Sequence, residues 1–533
     1  MHNVHRLIAA LIFTTACTVI AHNVIASETT AIVNVNVLPM DREVVLENQT
    51  VLIKDNLILA INPVEEAQVP DEALILEGNG AYLIPGLADM HVHLFAWDPD
   101  PHHLVLYLAQ GTTTVRSLGE AHDMLTWREQ VRNGELDGPT IYSTGRVIIG
   151  NHDNYMGFDL ISQTLDVVLL VLPLLIGLVM LAAWKPAQSK RNLLIGAPLL
   201  LIAGVALLNL KPVSTADLIP GLFPQFTHGF LAETVDQAIT EVRNQRNLQV
   251  DGIKLYDGLT ENTFLEALAE AKRQNLYVHA HLLDQMDLEV LLDTGVDEVV
   301  HVDEFNSFHW NKPSAEVVAD FEKGINPTLN YNSISQSAAM MARSDIALVS
   351  NLSTDEVSLQ LIRNTPEVLL RPSYRIVRPE VLETWRTQGR PVTSWIHQGD
   401  YRATELPFFN ALLSAMHEAG VMITIGTDSA QLVEGSLPSN IHRELELLVE
   451  AGFSNYEALS MGTRNAGLVV DRMGRDGNFG TVSIGNRADL ILLERNPLEN
   501  ISHTRQRIGV MVRGQWFTQA ELDSRVDDYV KRF

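Results

Sequence analysis

From residue 84 onward one texture repeats along the chain: a short apolar run that reads as a strand, then a stretch that reads as a helix. The candidate strands are 84–93, 112–118, 140–146, 251–256, 276–281, 297–302, 346–352 and 421–428. Between 261 and 274 the helical period is plain, with Phe264, Leu265, Leu268 and Ala271 on one face. Strands that alternate with helices call for a parallel sheet covered by helices, and eight of them predict a (β/α)8 barrel, an α/β fold.

Two departures from that texture divide the chain. Residues 27–83 carry short alternating runs such as Ala31–Leu38, and 476–533 return to the same pattern with Gly480–Leu493 and Ile508–Val512. These two ends are expected to join in one composite β-sandwich domain. The second departure is an insertion, 161–214, which splits the barrel into 84–160 and 215–475. Within it Val167–Trp184 and Leu193–Leu210 are uncharged runs of 18 residues each. At about 1.5 Å per residue each spans roughly 27 Å, enough to cross a bilayer. The link holds Lys185, Lys190 and Arg191. The expectation is an inserted two-helix transmembrane hairpin in contact with lipid over 167–210, its basic link on the cytoplasmic side. A pair of buried core helices is the alternative.

The leader agrees with that orientation. His2, His5 and Arg6 precede an apolar stretch from Leu7 to Ile20, and Val24-Ile25-Ala26 suits cleavage, so 1–26 reads as a signal peptide. An uncleaved anchor is the alternative. Either reading places the catalytic part outside the cytoplasm, periplasmic in a bacterium. A net charge of −27 excludes nucleic acid as a natural partner. The single cysteine, Cys17, lies in the leader, so neither a disulfide within the chain nor a cysteine zinc site can form.

The chemistry sits at the strand ends, where barrels of this kind carry their active sites. His91 and His93 close the first strand. Their i, i+2 spacing puts both imidazoles on one face, half of a metal site. Lys254 lies on the fourth strand, His279 and His281 on the fifth, His301 at the end of the sixth and Asp428 at the end of the eighth. A lone histidine at a strand end is usually a core residue with its hydrogen bonds met. Several at successive ends, with an aspartate at the last, point to a metal centre.

This set resembles the metal-dependent amidohydrolase superfamily, most closely its imidazolonepropionase-like and prolidase-like branch. The resemblance rests on Pro85-Gly86 ahead of His91 and His93, the Gly111–Gly119 stretch, Ile253-Lys254-Leu255-Tyr256, Gly426-Thr427-Asp428 and the Gly480–Leu493 tail. It implies two divalent ions, in the usual case zinc. His91, His93 and Asp428 would bind one ion and His279 and His301 the other, with carboxylated Lys254 bridging them. His279 is preferred to His281 because the first histidine of that motif is the usual ligand. A metal-bridging hydroxide would attack the substrate, with Asp428 taking its proton and passing it to the leaving amine. His152, in Gly150-Asn151-His152-Asp153, would donate to the developing oxyanion; an exposed loop histidine is the alternative. Tyr256 and His281 are candidate substrate contacts.

The expected activity is hydrolysis of an amide carbon–nitrogen bond in a small-molecule substrate, a dipeptide or N-acyl amino acid. The rivals are a deaminase of the same superfamily, a membrane-tethered scaffold without activity, and a hydrolase of a lipid-like amide. Lys254, and the absence of a glutamate beside His281, argue against the deaminase. The sequence is compatible with an oligomer.

Overall fold

The structure, a computed structural model, describes residues 29–94, 100–119, 123–150, 229–321, 323–387, 399–429 and 435–533. The expected leader, the expected hairpin and His152 lie outside these residues. Among the described residues no helix is long and apolar enough to cross a membrane.

Alternating runs at the N-terminus form β1 (Thr29–Val37), β2 (Leu46–Lys54), β3 (Leu57–Pro63), β4 (Leu74–Glu77) and β5 (Tyr82–Pro85). The barrel segment supplies β6 (Leu87–Val92), β7 (Thr112–Ser117), β8 (Thr140–Ser143), β9 (Val147–Ile149), β10 (Gly229–Leu231), β11 (Gly252–Leu255), β12 (Tyr277–Ala280), β13 (Glu298–Val300), β14 (Ala347–Val349) and β15 (Ile423–Thr424). The C-terminal segment adds β16 (Leu490–Leu493), β17 (Arg507–Val512) and β18 (Gln515–Thr518).

The two ends of the chain do join. Eight strands make one sheet in the order β18-β17-β16-β5-β1-β2-β3, with β4 also on β1. The seam is antiparallel β16 on β5, with Leu490 opposite Pro85 and Leu493 opposite Tyr82. Besides β2, strand β1 serves two partners, β4 along Thr30–Val33 and β5 at Asn36 and Val37. Between them Asn34 turns through φ 55°, which asparagine tolerates, and the register to β2 slips there. Ile32, Val35, Val51, Leu83, Leu490 and Leu492 bury their side chains in the core of this sheet. Each contributes roughly 1.5–3 kcal/mol by leaving water.

The eight expected barrel strands appear at their expected places as β6, β7, β8, β11, β12, β13, β14 and β15, and they close into a ring. Ladders run in parallel from β6 to β8 and from β11 to β15. Two parallel bridges complete the circle, Thr144 with Gly252 and Val92 with Ser429. The chain direction places the strand ends, and so the candidate residues, at one mouth. Helices pack outside. The one over Glu261–Arg273 starts at Thr260, whose hydroxyl accepts from Thr263 N at 3.2 Å, and buries Phe264, Ala267, Leu268 and Ala271.

Strands β9 and β10 were not expected. Each has three residues, too short for an alternating pattern to register. They pair in parallel, Val147 with Gly229, and lean on β11 through Ile148 and Leu255. The insertion leaves after β9 and returns at β10.

Candidate active site

The first strand delivers three polar side chains by its period of two. Asp89, His91 and His93 share a face, and Asp89 and His91 are buried. Asp89 accepts from Thr427 N at 2.9 Å and from Thr427 Oγ1 at 2.6 Å, which ties β6 to the residue before Asp428. Burial pushes the Asp89 carboxyl up to about 7 against these bonds. The Asp428 amide in turn donates to His91 O at 2.8 Å.

His91 Nε2 lies 3.1 Å from His93 Nε2. Asp428 Oδ1 lies 3.2 Å from the first and 2.9 Å from the second. Two ligand atoms on one tetrahedral zinc, each about 2.0–2.1 Å from it, stand roughly 3.3 Å apart. The triangle thus has the edge lengths of three ligands on one cation. His301 reaches the same cluster, with its ring centroid 4.5 Å from that of His91. Burial and the neighbouring imidazoles hold His91 well below the usual histidine range, so it is neutral and able to bind a metal. Asp428 and His301 have φ of 49° and 81°, left-handed values that cost of order 1–3 kcal/mol each and gather at functional sites.

A second cluster adjoins the first. His281 Nδ1 lies 2.8 Å from Glu304 Oε1 and 3.1 Å from Asp257 Oδ1. Glu304 is itself held by the Leu282 amide at 2.7 Å. Burial works against a charge on His281, but Glu304 and Asp257 outweigh it and raise the imidazole to about 9. Its Nε2 is buried and has no hydrogen-bond partner among the described residues. The ring stands 5.1 Å from that of His301 and 4.0 Å from that of Tyr256. Lys254 is 1% exposed, and its Nζ also lacks a partner among the described residues. Burial lowers it to about 8, although Glu304, Asp257 and Asp428 oppose the shift.

The two histidines of the fifth strand part company in depth. His279 sits in register with Lys254, and its Nδ1 lies 3.3 Å from Glu298 Oε1. Its Nε2 is turned towards Gly252, where a Cβ would fall only 2.7 Å away. Glu298 also pairs with Arg116, whose Nε donates to Met90 O at 2.9 Å. All three side chains are fully buried. Burial and then Arg116 bring His279 down to about 4. His279 and His281 thus each set Nδ1 against a carboxylate, and each keeps a buried Nε2 without a hydrogen-bond partner among the described residues.

Of the remaining candidates, His93, Lys254, Tyr256 and His301 lie at the mouth with Asp428. Sequence reasoning passed over Asp89, Asp257 and Glu304. Each had a signal in its spacing. Asp89 is two residues before His91, Asp257 directly follows Tyr256, and Glu304 is three after His301.

Two groups at this mouth have ligand atoms close enough together to hold a metal ion, His91 with His301 and Asp428, and Asp257 with His281 and Glu304. The sequence profile of the amidohydrolase family matches residues 233–517, and the chain belongs to that family. An enamidase from Eubacterium barkeri is 34% identical over 83 residues, which are 15% of this chain and 22% of that protein, so this similarity spans about a fifth of the relative's length. A prolidase solved with N-methylphosphonate-L-proline superposes with a TM-score of 0.59 at 18% identity, covering 92% of this chain and 99% of that one. A Xaa-Pro dipeptidase with methionine in its active site gives 0.58 at 17% identity, with 92% and 100% covered. At these identities the likeness is one of fold.

Proposed function

We propose that the protein hydrolyses an amide carbon–nitrogen bond in a dipeptide or N-acyl amino acid, using two divalent cations. The observation that carries this reading is the triangle of His91, His93 and Asp428 beside two further imidazoles and an unpartnered lysine. In this reading His91, His93 and Asp428 hold one ion. His281 and His301 would hold the other, with Lys254, carboxylated on its amine, as a further ligand. A buried amine with a lowered pKa has the free lone pair that addition of carbon dioxide needs.

When bound, the cations polarise the scissile carbonyl and lower the pKa of a water near them. Asp428 stands where a proton can be taken from that water and carried to the leaving nitrogen. Glu304 and Asp257 accept from His281 Nδ1, and a cation at Nε2 would displace the proton that otherwise charges this ring. His279 and Arg116 both meet Glu298, on the level of Lys254. The dipeptide reading leans on the prolidase and dipeptidase among the structural neighbours.

Elemental analysis of the purified protein, with a screen of dipeptides and N-acyl amino acids, tests the proposal. About two divalent ions per chain and turnover of at least one compound are expected. A protein that binds no metal after reconstitution with zinc and bicarbonate, and hydrolyses none of the panel, defeats it.

A further inference from the structure

The seventh strand contributes nothing to the site described so far, yet it ends in a residue with unusual surroundings. Asn351 follows β14 and opens the helix Leu352–Leu369. Asparagine in that place is among the best helix caps, because its side-chain oxygen takes an amide of the first turn. Here it does not cap. The first-turn amides are taken instead by Glu444, which accepts from Leu352 N at 3.0 Å and Ser353 N at 2.6 Å and also from Ser350 Oγ. Glu444 comes from the neighbouring helix Asn440–Glu450 and is fully buried. Asn351 takes φ 56°, a left-handed value that asparagine tolerates.

The amide that is released stays buried beside Gly426. Asn351 is 2% exposed, and neither its Nδ2 nor its Oδ1 has a hydrogen-bond partner among the described residues. A buried amide left in that state has lost its water hydrogen bonds without replacement. Its place is fixed by Gly426, two residues before Asp428. A Cβ on Gly426 would lie 2.7 Å from His91 Cβ and 3.1 Å from Asn351 Nδ2. The amide therefore stands beside His91, between the strand ends that carry His301 and Asp428, and the missing side chain at 426 makes room for it.

We infer that Asn351 is a substrate-binding residue, its amide donating to a carbonyl or carboxylate oxygen of the bound amide compound. The inference rests on the proposed hydrolase reading and adds the seventh strand to the site. A donor held in place before the ligand arrives costs nothing to organise on binding, and a ligand oxygen relieves the buried amide.

The test uses the full-length protein and two variants. Asn351→Gly tolerates the positive φ and removes the amide, while Asn351→Asp keeps the shape and acceptor but loses both donors. Metal content is measured for each, and kcat and KM are measured on dipeptides and N-acyl amino acids that the wild type hydrolyses. Both variants are expected to keep wild-type metal content and melting temperature while kcat/KM falls roughly ten- to a hundredfold. Values of kcat/KM within twofold of wild type would overturn the binding role. A fall that tracks lost metal or lost stability would also overturn it, and would make Asn351 structural. A wild type inactive on the whole panel would remove the hydrolase reading itself, and this inference with it.

Discussion

At the scale of single residues the site turns on two choices that spacing alone leaves open. His279 and His281 share a face by the strand period, so both look like ligands from the sequence. Depth along the strand separates them: His279 meets Glu298 one level down, and His281 meets Glu304 and Asp257 at the mouth. His281→Ala is accordingly expected to lose about one metal ion per chain, while His279→Ala keeps both ions and loses stability. Metal stoichiometry beside a thermal melt distinguishes them, and the opposite pattern would restore His279 as ligand. Asp428→Asn keeps the shape of the side chain but removes the proton acceptor. Turnover should fall by on the order of a hundredfold or more, with much of the metal retained. Near-native turnover would show that the proton goes elsewhere. Asn351 was invisible in the sequence for a different reason. An asparagine after a strand reads as a helix cap, and only Glu444, 93 positions further on, shows that the cap is supplied from elsewhere.

At the scale of elements the barrel was legible because its strands are apolar runs punctuated by turns, and the helix over Glu261–Arg273 because its buried face keeps the 3.6 period. The short β9 and β10 carry too few residues for any period. The charge inside the barrel was equally hidden: Arg116 of β7 crosses to Glu298 of β13, 182 positions away. Burial would raise the Glu298 carboxyl, but Arg116 prevails and holds it at about 2. Neither partner is exposed, so removing one strands the other without water. Arg116→Met alone is expected to cost about 3–5 kcal/mol, while Arg116→Met with Glu298→Met costs clearly less, because no uncompensated charge remains. Chemical denaturation of both variants measures the difference. Equal losses would mean that the pair contributes packing rather than compensated charge.

At the scale of the whole molecule the question is how the insertion relates to the enzyme. The ring of eight strands and the cluster at its mouth are complete among the described residues. The described chain breaks off after β9 and resumes at β10, outside that ring, and these two strands are parallel neighbours. To return, it must span only one strand spacing and the length of three residues, roughly 10–12 Å. The 10 residues from 151 to 160 and the 14 from 215 to 228 exceed that distance several times over. The uncharged runs within 167–210 are the basis for proposing a membrane tether there, with the basic link at Lys185, Lys190 and Arg191 on the cytoplasmic side. Replacing 161–214 by a short Gly/Ser linker should therefore move the protein from the membrane fraction to the soluble fraction, with about two metal ions and its turnover of soluble substrates intact. Turnover lost while metal content holds would mean that the insertion shapes the site, and would favour a lipid-like amide delivered from the bilayer. Recovery of the full-length protein in the soluble fraction would dispose of the tether and leave the barrel reading untouched, because that reading rests on His91, His93, Lys254, His281, His301 and Asp428, all outside the replaced segment.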